Sequence, residues 1–207
     1  MLKEQIRTLA KHYADELNLR IVERIQEMAS DDKSHYLVYR LLNVSSTEGD
    51  AIDLYQNKGR FLYKYAGSFL EEAALLCFKH KFDSAECKKK IENPYGGRPR
   101  TFEIDCLVNS CAYEVKWRDA TTDGDHITKE HSRVKAIHEA GYKPIRLMFY
   151  SPNRKQAIRI QETLKTIYHG LGGSYLVGAA AWEHIHEVTG VDLFNILNGV
   201  ADENAQQ

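Results

Sequence analysis

The sequence predicts an α/β fold, a small mixed β-sheet flanked by helices, on three observations. Thr101–Trp117 alternates cleanly between apolar and polar residues around Asn109-Ser110, as a hairpin does. "KPIRLMFY" is a second strand-like run, and it lies between two amphipathic segments of helical period. Helical patterns also precede the hairpin and close the chain, giving the order helices, hairpin, helix, strand, helices.

Each element has a local reason. Leu2, Ile6, Leu9, Tyr13 and Leu17 recur at helical spacing, as do Ile21, Ile25 and Met28, so 2–29 reads as helix, with a break near Asn18 as one option. "HYLVYRLLNV" fits either type. Ser46 or Thr47 is placed to cap a helix over "STEGDAIDLYQNKGR". Arg60–Lys79 is a strong helix with Leu62, Phe69, Ala73, Leu76 and Cys77 on one face. Residues 79–100 are rich in Lys and Arg and end in the turn-forming "NPYGGRPR". After the hairpin, "DGDHITKEHSRVKAIHEAG" reads as loop and helix with Gly141 at its C-terminus. Ser151 and Pro152 are expected to open the helix after the second strand. "YLVGAAAWEHIHEVTG" and "VDLFNILNGV" read as two last helices, the second capped by Asp192.

The expected organisation is a single domain. It comprises an N-terminal helical part (1–58), a core (59–150), C-terminal helices (151–200) and a flexible polar tail (201–207). The 207 residues are enough to bury a core. A net charge of −1 places any nucleic-acid role in local patches rather than in overall charge. There is no apolar run of membrane-spanning length and no secretory signal. The four cysteines show no zinc spacing, which fits a reduced cytoplasmic protein.

The hairpin carries the chemistry. With the turn at Asn109-Ser110, Val108 faces Cys111, and counting outward sets Asp105 opposite Glu114 and Glu103 opposite Lys116. These four would share one face, with Phe102, Ile104, Cys106, Tyr113, Val115 and Trp117 on the other. Opposed carboxylates repel, so a compensating cation is expected. Oxygen donors favour a hard ion such as Mg²⁺, completed by phosphate oxygens. Lys116 would steady an attacking water or developing charge. The plain alternative is a solvated face with ordinary Glu–Lys pairing.

Asp105, eight intervening residues, then Glu114-Val115-Lys116 resembles the PD-(D/E)XK nuclease motif, with Ile104 where that motif usually has Pro. The longer run "EVKWRDATTDGDHITKEHSR" resembles type II restriction endonucleases, most of all the ApaLI-like family. The likeness covers about residues 60–150. It implies a restriction-endonuclease-like core with extra N- and C-terminal helices, and Mg²⁺-dependent cleavage of double-stranded DNA at a short palindrome, GTGCAC for the ApaLI-like family. It implies Asp105 and Glu114 as metal ligands, with the Val115 position between Glu114 and the catalytic Lys116. A helix glutamate often joins such sites: the G-x-x-x-E pattern selects Glu71, whereas helix phase favours Glu72. A homodimer suits a palindrome, with the apolar C-terminal helices as a candidate surface. A cognate DNA methyltransferase would be the genetic partner in a prokaryotic cytoplasm.

The loop after the catalytic strand supplies the candidate DNA contacts Arg118, Asp119, Thr122 and Asp123. Lys129 and Arg133 share a face of the next helix, and Arg98 and Arg100 lead into the first catalytic strand. His126 and Glu130 share a helix face too, but no third metal ligand is defined. The rival functions are another nuclease with this motif, a junction resolvase or repair enzyme, and a non-catalytic DNA-binding protein on the same fold.

Overall fold

The protein was analysed as a computed structural model that describes residues 1–118 and 125–205. Helices α1 (Leu2–Ser30), α2 (Tyr36–Leu41) and α3 (Ser46–Lys81) come first. Strands β1 (Glu86–Glu92), β2 (Thr101–Val108) and β3 (Cys111–Lys116) follow, then α4 (Asp125–Glu139), β4 (Lys143–Met148) and α5 (Lys155–Gly170). The chain closes with β5 (Ser174–Val177), α6 (Ala179–Thr189) and α7 (Leu193–Ala205). The α/β class read from the sequence is the observed one.

The chain divides into two compact units, Arg7–Phe69 and Met1–Ile6 with Leu70–Gln207. The helical unit Arg7–Phe69 contains α2, which settles the ambiguous "HYLVYRLLNV". Tyr36 and Tyr39 stack at 5.1 Å, and their hydroxyls donate to Asp50 (2.9 Å) and Asp53 (2.9 Å) respectively. Gly49 lets this pair approach α3, because a Cβ there would lie 2.7 Å from the Tyr39 ring. Several large apolar side chains of this unit stay exposed, among them Leu19, Val22, Leu37, Leu41, Leu42 and Tyr55.

The second unit is built on a five-stranded sheet in the order β1-β2-β3-β4-β5. β1, β2 and β3 pair antiparallel, and β3, β4 and β5 pair parallel. One face packs against α4 and α5 through Val134, Met148, Ile160, Leu164, Tyr168 and Tyr175. On the other face Tyr113 meets Phe78 of α3 (4.4 Å between rings) and His184 of α6 (5.8 Å).

Two strands differ from expectation. β1 lies in the stretch read as a basic run. It is an edge strand whose exposed Glu86, Lys88, Lys90 and Glu92 alternate with half-buried Cys87, Lys89 and Ile91. Lysines on an edge strand block further pairing and hide the alternation from a hydrophobicity reading. β5, "SYLV", is four residues that run straight into a helix, too short for periodicity to separate from it. The helix after β4 also starts later than read. Arg154 is extended (φ −83°, ψ 130°) and α5 begins at Lys155, while Pro152 is buried and Asn153 is held by Arg118. Asp192 does cap α7, accepting from the Asn195 N–H at 2.9 Å. That helix continues to Ala205, where the polar tail was expected, and Glu203 pairs with Lys3 at 2.9 Å.

The hairpin turn is as counted. Asn109 (φ 48°) and Ser110 (φ 64°) are both left-handed, the signature of a two-residue type I′ turn. Only Gly takes that conformation without steric cost. Ser110→Gly is therefore expected to stabilise the fold by about 0.5–1 kcal/mol, read as a higher denaturation midpoint at unchanged slope.

Candidate active site

The β2–β3 ladder holds its predicted register through Val108↔Cys111, Leu107↔Ala112 and Cys106↔Tyr113. The next step departs from it. The Val115 N–H donates to the Asp105 side chain, Oδ2, at 2.8 Å. A carboxylate thus takes the place of a ladder carbonyl. Ile104 packs with Leu107, Ala112 and Ile137. Residues three apart on a strand cannot share a face under strict alternation, so the alternation breaks at Asp105-Cys106. This corrects the single acid face drawn from counting: Ile104 and Leu107 lie on one side, and Asp105 fills the gap between them. The backbone device sits next door. Lys88 lies between Cys87 and Lys89, which pair with Cys106 and Ile104, and has φ 57°.

Glu114 is 3% exposed and lies beside Arg146 in the β3–β4 register. Lys116 donates from Nζ to its Oε1 at 2.6 Å. Its Oε2 pairs with Arg133 of α4. Arg133 also reaches Glu130 Oε2 at 3.4 Å. Glu130 Oε1 accepts from Arg146 Nη1 (3.0 Å) and from the Tyr168 hydroxyl (2.6 Å). Positive and negative groups therefore alternate from Lys116 at the surface to Arg146 and Tyr168 in the core. Burial pushes the Arg133 guanidinium below its usual range, but guanidinium stays charged at any ordinary pH. The chain of pairs is what makes burying these charges tolerable.

Of the residues singled out in the sequence, Glu114 pairs with Lys116, and Asp105 holds the N–H of Val115 between them. Glu71 is half-buried and ion-paired with Lys88, which lies 3.9 Å from Asp105 Oδ1. Glu72 lies on the exposed side of α3. Arg133, read as a DNA contact, turns inward to Glu114 and Glu130. Glu130 likewise serves the core rather than a site with His126. Lys129, Arg98 and Arg100 are exposed, and the loop bearing the two arginines meets α4 where Lys135 sits 5.0 Å from the Tyr95 ring. Arg118 donates to Asn153 Oδ1 at 2.9 Å. Asp119, Thr122 and Asp123 lie outside the described residues. Lys88, Arg146 and Tyr168 went unread, and Glu130 was read only as a partner of His126. Arg146 had a signal: one cation inside the apolar run "PIRLMF" demands a buried partner.

Asp105 Oδ1 and the buried Glu114, whose oxygens pair with Lys116 and Arg133, are hard oxygen donors, with Glu71 a further carboxylate on the other side of Lys88. That donor set fits a hard divalent ion. Among the described residues, however, no three His, Cys, Asp or Glu side chains already converge as a metal cage. The family model for ApaLI-like restriction endonucleases matches residues 1–202. The chain belongs to this family. No curated protein and no solved structure matches it. The substrate of a restriction endonuclease is DNA, and enzymes of this kind generally work with a divalent metal ion.

In this ApaLI-like endonuclease the ion chain gives two expectations. Glu130→Ala leaves Arg133 and Arg146 facing each other, and should cost about 3–5 kcal/mol in denaturant unfolding. Burial, with the Glu130 carboxylate adding to it, raises Tyr168 above the ordinary phenol range. A raised folded pKa contributes stability that is whole below the unfolded value of about 10 and is lost as pH climbs through the folded value. Stability should therefore fall above pH ~10, and Tyr168→Phe should flatten that fall in alkaline melting curves.

Proposed function

We propose that this chain is a type II restriction endonuclease that hydrolyses phosphodiester bonds of double-stranded DNA at a short palindrome, with Mg²⁺ as cofactor. The observation that supports the reading is a pair of contacts on β3 where the ladder opens. Asp105 holds the Val115 N–H at 2.8 Å, and Glu114 holds Lys116 at 2.6 Å. A DNA-binding module has no use for two buried carboxylates beside a lysine, whereas hydrolysis uses all three.

Each residue has a task. Asp105, Glu114 and the Val115 carbonyl would hold the ion, with Glu71 as the helix carboxylate and Glu72 the weaker choice because it is exposed. Bound Mg²⁺ supplies charge neutralisation at the phosphate and a more acidic water. Lys116 hydrogen-bonds the attacking water or the developing oxyanion. Its partner Glu114 keeps the ammonium in place, and Arg133 keeps Glu114 in place. Water adds to phosphorus and gives up a proton to solvent, the bond to the leaving oxygen breaks, and that oxygen takes up a proton from solvent.

Arg98, Arg100 and Lys129 are the exposed cations available to phosphates. Arg118, Asp119, Thr122 and Asp123 follow the catalytic strand and are candidate DNA contacts, to bases or phosphates, with GTGCAC as the first site to test. A homodimer would bring one site to each strand. The C-terminal helices are the candidate surface for that pairing. The setting would be a prokaryotic cytoplasm with a DNA methyltransferase as genetic partner.

The test is digestion of plasmid and mixed genomic DNA with Mg²⁺, followed by sequencing of fragment ends. Discrete ends at one palindrome are expected. Preference for branched DNA would select a resolvase instead, and tight binding with no cleavage under any divalent ion would sink the enzymatic reading. Asp105→Ala and Lys116→Ala should each lower the cleavage rate by at least ~10²–10³ while leaving the folded far-UV signal intact. If both variants still cut, the site lies elsewhere.

A further inference from the structure

Lys88 stands in the interior of β1 with φ 57°, a conformation that side chains other than Gly rarely adopt. The residues on either side of it pair with Cys106 and Ile104, so Asp105 is the residue across from it. An ordinary edge-strand lysine extends into solvent. This one draws in three carboxylates. Its ammonium pairs with Glu71 of α3 and lies 3.7 Å from Glu103 Oε1 and 3.9 Å from Asp105 Oδ1. Asp105 has already given its other oxygen to the Val115 N–H. The oxygen that faces Lys88 is therefore the one Asp105 has left for a cation.

We infer that Lys88 is a resident counter-cation that competes with a divalent ion for Asp105 and Glu71. The inference rests on the proposed role of Asp105 in holding that ion. Without a bound ion, the ammonium offsets repulsion among the three acids. When an ion binds, the ammonium gives way. Lysine suits this exchange: it is a point charge on a flexible stem, forms no chelate, and here its side chain is 45% exposed, so it can swing into water. Two cations that share one set of acids must weaken each other's hold, and the coupling is reciprocal. Lys88 is thus a positioning residue that sets the ion concentration at which the site loads.

Lys88→Gly tests this, because Gly suits φ 57° and the variant removes the ammonium with its stem, while Lys88→Arg keeps a cation. Mg²⁺ and Mn²⁺ are titrated calorimetrically into full-length wild type, Lys88→Gly, Lys88→Arg and Asp105→Asn, without DNA. Lys88→Gly should bind on the order of tenfold tighter than wild type, Lys88→Arg close to wild type, and Asp105→Asn more weakly. Measured against its own ion-free state, Lys88→Gly should also gain more thermal stability from excess Mg²⁺ than wild type does. If wild type binds the ion and Lys88→Gly binds it no tighter, the inference falls while the ion site stands. If neither binds an ion, the ion reading falls and the inference falls with it.

Discussion

The ion chain from Lys116 through Glu114, Arg133 and Glu130 to Arg146 ties β3, α4 and β4 into one arrangement. Each buried charge costs several kcal/mol in lost hydration and recovers it only against a partner in good geometry. That requirement restricts the whole unit. β3 and β4 must run parallel with Glu114 beside Arg146. α4 must lie over them in the phase that turns both Glu130 and Arg133 inward, which their i, i+3 spacing permits. α5 must bring the Tyr168 hydroxyl to Glu130. Moving any one of these elements would strand a charge.

In the proposed mechanism the same chain prepares the site for chemistry. Glu114 is bound on both oxygens, so its rotamer is set before substrate arrives. Lys116 is the surface end of the chain, with its side chain 35% exposed, so the proposed function has it where DNA could reach it. Electrostatic catalysis works best when such dipoles and charges need no reorganisation at the moment of reaction. Arg133 would act at one remove in that mechanism: it holds the Glu114 carboxylate in place.

Asp105 is placed by a different device. The hairpin turn sets the register, but the ladder opens after Cys106↔Tyr113, and a side-chain carboxylate caps the free Val115 N–H. On the outer side of the strand, left-handed Lys88 breaks the pairing of β1 with β2 at the same level. Two neighbouring ladders thus open around one aspartate. Strain of this sort persists where surrounding structure compensates it, and it collects at functional sites.

Period and local chemistry were enough to read the hairpin turn, the α4–β4–α5 succession, the Asp192 cap and the three motif residues of β2 and β3. These depend on neighbours in the chain: side-chain alternation, turn chemistry and capping. β1 and β5 escaped because one is a lysine-rich edge and the other is four residues long, so neither shows a distinctive period. The direct opposition of Asp105 to Glu114 was a fair count on an ideal ladder, and it failed where a carboxylate replaced a backbone acceptor. The fates of Arg133 and Glu130 were decided only in three dimensions. Their spacing says that they share a helix face, but only the parallel packing of α4 on β3 and β4 determines that this face meets buried charge instead of solvent.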